Sequence, residues 1–355
     1  MPPKARALLR GAALLALLAL IGAVITQRVS QRGQLKLTHT PQLSAQALSE
    51  GVGVSLGLFA SDPAWDYEVF LKELKALGVE RLMIVVPLKQ ATHTSSAPWL
   101  AVPMGVIERT LSQASALGFK LSLMPVIQLE HRSMDIWRGK LAPQAPERWW
   151  GNYSADLRRL AALAERLGVE RLVIGSELCS LEGELKRWEA LISLTRAHLK
   201  GALTYSANWD HYREVPFWAL LDEVSVTAYF PLASLNTLEG QWRAYLSEVE
   251  RFAAEQGMKG EGRPLLITEY GYPALESALK EPWNETTRAP FAPKLQAELV
   301  ARSTTLLKER GAQGGRLRGA FLWNWFGFGG SLDRGYTLRG REGEERLKAT
   351  LKGEP

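Results

Sequence analysis

A short segment in which a helix ends at a glycine and a strand follows at once occurs three times in this chain. Residues 77–84 read LGVERLMI, and residues 167–174 read LGVERLVI. A looser copy, LGFKLSL, spans residues 117–123. Glycine suits the left-handed position at the end of a helix, and a short apolar run after it is typical of a buried strand. The chain is therefore predicted to repeat a helix–strand unit, which indicates a parallel sheet covered by helices.

Amphipathic helices precede these three strands. Apolar residues recur with helical spacing over residues 66–76, 105–116 and 153–166. Eight strands are predicted in all, over residues 54–59, 81–87, 120–127, 171–176, 202–207, 223–229, 265–269 and 320–325. Eight such units in about 300 residues favour one α/β domain, a single (β/α)8 TIM barrel over residues 51–350. Residues 351–355 are expected to form a short tail.

A doubly wound sheet is the alternative fold. It requires a glycine-rich phosphate loop after an early strand. The nearest match, GVGVSLG at residues 51–57, has different spacing and precedes its strand. The same segment contains the pattern of a serine-hydrolase nucleophile elbow around Ser55, but this serine lies inside the strand with no helix directly after it. The barrel is therefore favoured, and serine chemistry is not expected.

Two of the predicted strands end in a glutamate. The fourth strand, in VIGSEL at residues 173–178, ends at Glu177, and the seventh, in LLITEYG at residues 265–271, ends at Glu269. A buried carboxylate is costly unless it faces a polar cleft, and the carboxyl ends of barrel strands form one active-site face. Glu177 and Glu269 are therefore predicted to meet in one cleft, as a carboxylate pair suited to glycoside hydrolysis.

These two segments resemble a known enzyme family. GSEL at residues 175–178 and TEYGY at residues 268–272 look like the acid/base and nucleophile segments of clan A glycoside hydrolases, and in detail like those of family 113, the β-mannanase type. Further matching segments are WWGNY at 149–153, TYSANWD at 204–210, AYFP at 228–231, PW at 282–283 and WNW at 323–325. The resemblance implies a TIM-barrel β-glycosidase that needs no cofactor.

The resemblance and the strand positions together imply a retaining mechanism. Glu269 is the expected nucleophile, and Glu177 is the expected acid that protonates the departing oxygen and later activates water. Glu177 then needs a pKa raised by the nearby negative charge of Glu269, whereas Glu269 needs hydrogen-bond donors that keep it charged. Tyr229, at the end of the sixth predicted strand, is the expected donor.

The implied substrates are β-1,4-linked mannan, glucomannan or mannooligosaccharides. Many clan A members have an asparagine before the acid/base glutamate to hold the sugar 2-hydroxyl, and this chain has Ser176 there. Ser176 and the long loop over residues 274–292 leave another β-glycan open as the substrate. Tyr205 and Asn208, at the fifth predicted strand, are expected to bind substrate hydroxyls.

The chain has 12 tryptophans, and an indole can cover the apolar face of a pyranose while its N–H bonds a hydroxyl. Nine lie at or after predicted strand ends: Trp65, Trp99, Trp137, Trp149, Trp150, Trp209, Trp283, Trp323 and Trp325. Trp323 is the favoured sugar platform, whereas Trp325 is expected to pack. Further substrate contacts are expected from Trp209, Trp283 and Tyr272. Three tryptophans in or beside helices are expected in the core: Trp188, Trp218 and Trp242.

Metal and thiol chemistry are not indicated. The five histidines show neither paired spacing nor a nearby cysteine cluster, so no metal site is expected. Cys179 is the only cysteine, which excludes a disulfide within the chain. Its expected role is that of a small apolar filler.

The first 50 residues differ from the rest of the chain. Three basic residues precede an apolar run over residues 11–26, which is near the lower length limit of a membrane span. Residues 1–30 are expected to form an uncleaved signal anchor or a cleaved signal peptide, and residues 31–50 a linker. The barrel is then expected to be a monomer outside the cytoplasm, either membrane-anchored or secreted or periplasmic.

The net charge of +6 also comes from this leader. Six of the 43 basic residues precede Glu50, the first acidic residue, and the remaining 37 balance the 37 acidic residues. The basic footprint of a nucleic-acid binder is therefore absent.

Two other functions stay open. A catalytically inactive, membrane-tethered carbohydrate-binding barrel keeps the aromatic cleft without needing both carboxylates, and a structural or assembly barrel predicts no sugar affinity. The joint presence of Glu177 and Glu269 favours the enzyme over both.

Overall fold

The structure is a computed structural model, and it describes residues 51–132, 136–256 and 262–353. In this part of the chain eight parallel strands form a barrel: β1 (Gly51–Gly57), β2 (Arg81–Gln90), β3 (Lys120–Leu129), β4 (Arg171–Ser176), β5 (Ala202–Ala207), β6 (Val224–Thr227), β7 (Leu265–Tyr270) and β8 (Leu317–Leu322). Because β1 pairs with both β2 and β8, the barrel is closed. The predicted (β/α)8 TIM barrel is confirmed, and the open doubly wound sheet is wrong.

Seven helices surround the described barrel: α1 (Glu68–Ala76), α2 (Met104–Ala116), α3 (Pro146–Arg166), α4 (Leu185–Arg196), α5 (Leu238–Glu255), α6 (Pro293–Ala312) and α7 (Glu342–Lys352). Between β5 and β6 a 3₁₀ turn, Trp218–Leu220, takes the place of an α-helix. A two-residue strand, Trp99–Leu100, runs antiparallel to β2. Helix α7 continues to Lys352, into the residues predicted to form a tail.

The first and last barrel strands begin three residues earlier than predicted. Glycine is rare in strands, yet Gly51 pairs with Gly319 where β1 meets β8. At Gly53 an added Cβ would lie 2.6 Å from the carbonyl oxygen of Arg81 in β2, so only glycine permits this close approach. Strand β8 also ends earlier than predicted, at Leu322, and Trp323 lies just beyond it.

Alternation along the strands divides the core into two layers. Seven inward-facing residues fill the barrel interior: Met83, Val85, Met124, Val126, Val173, Leu266 and Phe321. Leu82 and Ile84, which alternate with the first two of these on β2, belong to the layer between strands and helices. The predicted core tryptophans are confirmed as buried in that outer layer: Trp188, Trp218 and Trp242. The filled interior leaves the strand ends as the place for a site.

A buried ion pair connects the early residues of three strand segments. Arg171, the first residue of β4, donates from Nε to Glu223 Oε2 at 2.5 Å and from Nη2 to Glu223 Oε1 at 3.0 Å. Its Nη1 also donates to Ser122 Oγ on β3 at 3.1 Å. Both charged side chains are almost completely buried. Removing one partner of such a pair leaves an uncompensated charge in the interior.

We expect Glu223→Ala to lower the free energy of unfolding by about 3 to 5 kcal/mol, because the Arg171 guanidinium stays buried without its counter-charge. Urea denaturation followed by circular dichroism measures the change. The double variant Arg171→Met, Glu223→Leu removes both charges and is expected to recover most of the lost stability. A Glu223→Ala protein as stable as the wild type would contradict this account of the pair.

No helix within the described ranges has both the length and the apolarity to cross a membrane. The signal anchor or signal peptide predicted at residues 1–30 and the linker predicted at residues 31–50 lie outside the described residues.

Candidate active site

The two strand-end glutamates lie at the carboxyl end of the barrel. Glu177 directly follows β4, and Glu269 is next to last in β7. Both are buried, with 6% of Glu177 and 1% of Glu269 exposed. Thr227, the last residue of β6, donates its hydroxyl to Glu177 Oε1 at 3.0 Å. The ends of β4, β6 and β7 thus meet in one site, as the strand order predicts.

Two hydroxyl groups donate to Glu269. The Tyr229 hydroxyl, which is the predicted donor, lies 3.1 Å from Glu269 Oε2. The Ser176 hydroxyl lies 3.4 Å from Glu269 Oε1, so the residue before one glutamate contacts the other. Ser176 therefore has a partner inside the site, and its contact with a sugar stays a prediction.

The electrostatics of Glu269 differ from the prediction that its neighbours keep it charged. Burial and the nearby negative charge of Glu177 raise the pKa of Glu269 to about 7. The positive charge of Arg138 and the hydrogen bonds from Tyr229 and Ser176 act in the opposite direction but do not offset the burial. Two donors are thus too few to compensate a carboxylate removed from water beside a second one.

Arg138 is the site residue that the sequence pattern does not reveal. It begins a 3₁₀ turn, Arg138–Lys140, in the connection from β3 to α3. Its Nη2 donates to Glu177 Oε2 at 2.6 Å. A lone arginine in a loop has no spacing signal, and only the fold brings it to Glu177. Thr227 is different, because it is the last residue of β6 and its side chain faces inward. Its place in the site can be anticipated once β6 is located.

Replacing Arg138 by leucine is expected to move the pH profile of kcat/KM to higher pH. The guanidinium lowers the pKa of Glu269, so its loss raises that pKa, by about 1 unit or more for an adjacent charge. Initial rates measured from about pH 4 to about pH 10 give the profile. This range runs from the titration of ordinary carboxylates to that of tyrosine. Arg138→Lys keeps the positive charge and is the matched control. Superimposable profiles for the leucine variant and the wild type would remove Arg138 from the electrostatics of the site.

Tyr205 is predicted to bind a substrate hydroxyl, and this prediction is wrong. Its neighbours Thr204 and Ser206 face the barrel interior, where they bond Ser225 and Thr268. Period-two alternation turns Tyr205 outward, where it is fully buried among aromatic rings of the helical layer. Tyr205 therefore lies behind the cleft wall.

The predicted substrate contact of Tyr272 is also wrong. The Tyr272 ring is buried, its hydroxyl accepts from Trp242 Nε1 at 3.1 Å, and it lies 3.0 Å from the Ser303 hydroxyl on α6. The side chain therefore fixes the β7 end to the helical layer instead of facing the cleft.

Exposed and half-buried aromatic side chains lie around the carboxyl end. Trp209, just after β5, and Trp283, in the connection from β7 to α6, lie with their rings 6.4 Å apart and 16° from parallel. Trp283 is 46% exposed, and Asn208, beside Trp209, is half-buried. Trp323 is half-buried against Phe59, with ring centroids 6.0 Å apart. Their contacts with a sugar stay predictions, as does that of Asn208.

Three other tryptophans from the predicted active face are buried. Trp325 packs as predicted, with its Nε1 donating to Glu73 Oε2 at 2.8 Å. Trp149 and Trp150 are buried at the start of α3, which begins at Pro146, and Trp149 Nε1 donates to Gln90 Oε1 at the end of β2 at 2.8 Å. A proline suits the first position of a helix, so the helix starts seven residues before the predicted residue 153.

Three side chains with metal-ligating atoms meet beside the site, among the residues described. Cys179, Glu182 and His211 each place one such atom within 4.8 Å of the others. His211 Nδ1 and Glu182 Oε2 lie 2.8 Å apart, and Tyr205 donates to Glu182 Oε1 at 2.7 Å. The carboxylate and imidazole thus satisfy each other by hydrogen bonding. Burial, reinforced by the Glu182 charge, raises the pKa of the Cys179 thiol, so it is not an activated nucleophile.

A protein family model matches most of this chain. A family model described as Glycoside Hydrolase Family 113 matches residues 56–328. No curated protein matches the chain.

Several solved structures share the barrel. A complex of a GH113 β-1,4-mannanase is 19% identical, with 86% of this chain and 100% of that chain covered and a TM-score of 0.72. AaManA, the GH113 β-mannanase from Alicyclobacillus acidocaldarius in complex with ManMIm, is 21% identical, with 87% and 99% covered and a TM-score of 0.72. The endo-β-1,4-mannanase from Thermotoga petrophila is 14% identical, with 86% and 77% covered and a TM-score of 0.56. These similarities show a common fold.

Proposed function

This chain belongs to glycoside hydrolase family 113, and from that membership we propose that it cleaves β-1,4-linked mannan, glucomannan or mannooligosaccharides with retention of configuration. The observation that carries the proposal is the buried pair of Glu177 and Glu269 at the carboxyl end of the barrel. Two carboxylates at the scissile bond are the requirement of glycoside hydrolysis.

The first step forms a covalent intermediate. A Glu269 carboxylate oxygen attacks the anomeric carbon, and the bond from that carbon to the departing oxygen breaks as Glu177 transfers its proton to that oxygen. In the second step Glu177 takes a proton from water, the water oxygen bonds to the anomeric carbon, and the ester bond to Glu269 breaks. Two displacements on the same carbon retain its configuration.

The reactive form of the site holds one proton on the two glutamates. The retaining mechanism requires that proton on Glu177 and a carboxylate at Glu269. Because burial and the charge of Glu177 raise the pKa of Glu269 to about 7, the Glu269 carboxylate is the main form above about neutral pH. Arg138 donates to Glu177 Oε2 at 2.6 Å, and its positive charge lowers the pKa of Glu269, so it favours the Glu269 nucleophile.

The substrate class is supported by the rim of the site and by the similar proteins. Trp209 and Trp283 present nearly parallel indoles at the mouth of the barrel, an arrangement that suits the apolar faces of pyranose rings. The solved GH113 relatives are described as β-mannanases. Neutral β-linked mannosides are therefore the first substrates to test.

The test uses the full chain, wild type and Glu269→Gln, with mannan, glucomannan, mannooligosaccharides, xylooligosaccharides and cellooligosaccharides. Chromatography identifies the products, and proton NMR identifies the anomer that forms first. We expect cleavage of the mannose-containing substrates by the wild type alone, with the β-anomer appearing first.

Each other outcome favours a different function. An α-anomer formed first would overturn retention, and cleavage of another β-glycan alone would overturn the mannan assignment. Glycan binding without cleavage would favour a carbohydrate-binding barrel. A protein that neither binds nor cleaves any of the glycans would favour a structural role.

A further inference from the structure

The backbone of Glu177 has an unusual conformation. Its φ angle is 52°, and among the described residues it is the only one other than glycine with a positive φ. A left-handed conformation is unfavourable for a residue with a Cβ, and it persists only where the surroundings enforce it. Relaxation to an ordinary φ would rotate the side chain away from Thr227 and Arg138, with which it is hydrogen-bonded.

Hydrogen bonds fix the peptide groups on both sides of Glu177. Its own N–H donates to the carbonyl oxygen of Ser206 at 2.8 Å. The next N–H, of Leu178, donates to the Tyr205 hydroxyl oxygen at 2.7 Å. Because these two peptide planes define φ and ψ of Glu177, the bonds hold its Cα–Cβ direction. One of the two anchors is a side chain, so it can be removed by mutation.

The Tyr205 hydroxyl is held in turn by a buried carboxylate. It donates to Glu182 Oε1 at 2.7 Å, and Glu182 Oε2 bonds His211 Nδ1 at 2.8 Å. Tyr205 and Glu182 are buried, whereas the His211 side chain is 38% exposed. With its proton directed at Glu182, the Tyr205 oxygen presents a lone pair to the Leu178 N–H. The hydroxyl thus has a fixed donor side and a fixed acceptor side.

We propose that Tyr205, oriented by Glu182, is a positioning residue for the proton transfer by Glu177. This inference rests on the proposed function, and it assigns a role to a side chain behind the cleft wall that contacts no substrate. Without the hydroxyl, the Leu178 N–H is left buried and unpaired, and the left-handed conformation loses one of its two anchors. The Glu177 carboxyl then moves relative to the departing oxygen, and a displacement of about 1 Å lowers the rate about 10²-fold.

The test compares two substrates for the Tyr205→Phe variant. A mannooligosaccharide has a sugar leaving group that needs the Glu177 proton, whereas 2,4-dinitrophenyl β-mannobioside has a leaving group that departs without one. We expect kcat/KM of Tyr205→Phe to fall about 10²-fold for the oligosaccharide and to stay near the wild-type value for the dinitrophenyl substrate. Tyr153→Phe is the matched control, because it also removes one buried tyrosine hydroxyl. That hydroxyl donates to the carbonyl oxygen of Ile174 at 2.8 Å, on β4, the strand that Glu177 follows.

A second pair of variants tests the link through Glu182. Glu182→Leu removes the acceptor of the Tyr205 proton and is expected to repeat the selective loss. Glu182→Gln keeps an amide oxygen for Tyr205 and an amide N–H for His211, so it is expected to retain most of the activity.

The outcomes separate the inference from the proposed function. Equal losses on both substrates with a lowered melting temperature would show a merely structural role and overturn the inference. Unchanged oligosaccharide cleavage by Tyr205→Phe, with an active wild type, would overturn the inference alone. A wild type that cleaves neither substrate would overturn the proposed function and the inference together.

Discussion

Replacing Glu269 by glutamine is expected to lower kcat/KM for mannooligosaccharides by about 10⁴-fold or more, because an amide cannot form the covalent intermediate. Glutamine has nearly the same shape, and its amide oxygen can still accept from Tyr229 or Ser176. The substitution also removes a buried carboxyl whose pKa is raised to about 7 by burial and by Glu177. The barrel is therefore expected to stay folded, and thermal unfolding measured beside the kinetics checks this.

The matched control for this variant is Glu276→Gln. Glu276 is exposed in the 3₁₀ turn Glu276–Leu279 that follows β7, so the same chemical change is made outside the site. Wild-type kinetics are expected for it. A Glu269→Gln protein that cleaves mannooligosaccharides at the wild-type rate would remove Glu269 from the catalytic machinery.

Replacing Glu177 by alanine is expected to lower kcat/KM for mannooligosaccharides by about 10² to 10⁴-fold, the typical contribution of a positioned proton donor. The first step with a dinitrophenyl glycoside needs no proton and is expected to be nearly unaffected. The second step is expected to be slow, because no base activates water. Added azide, which needs no base, is expected to accelerate that step and give a β-glycosyl azide. Equal losses on both substrates would contradict the acid/base role.

The same variant has a pH signature of defined sign. Glu177 raises the pKa of Glu269, and Arg138 lowers it. In Glu177→Ala the negative charge is gone, and Arg138 loses its carboxylate partner while it remains near Glu269. Both changes lower the pKa of Glu269, so the carboxylate nucleophile is present at lower pH. For the dinitrophenyl substrate, the acidic limb of the pH profile is expected at lower pH than in the wild type. This shift is opposite to the one expected for Arg138→Leu.

The barrel is predictable from the sequence because its signals are local. A helix that ends at Gly78, Gly118 or Gly168 is followed directly by a strand, and all three glycines have positive φ. The bounds of β1 and β8 are harder to locate, since the glycines that permit close contact between these strands are also typical of loops. Similarly, the start of α3 at Pro146 is hidden by a proline that marks either a turn or the first turn of a helix.

The candidate site is predictable only in the part that the strands carry. Glu177, Glu269 and Tyr229 follow from strand order and strand ends. The outward direction of Tyr205 depends on the exact phase of alternation, which reverses if a strand is displaced by one residue. Arg138 comes from a loop, and its distance from Glu177 is set by the fold as a whole. The raised pKa of Glu269 depends on burial and on these neighbours, so it cannot be read from residue types.

The buried pair of Arg171 and Glu223 has a consequence for how the barrel assembles. Its partners are 52 residues apart in sequence, and Ser122 is a further 49 residues before Arg171. The three side chains can meet only after β3, β4 and the start of β6 have reached their native alignment. A sheet shifted by one residue would bury the guanidinium beside apolar side chains, which is strongly unfavourable. The pair therefore destabilises barrels in which these strands are misaligned, and it favours the alignment in which the strand ends form the site.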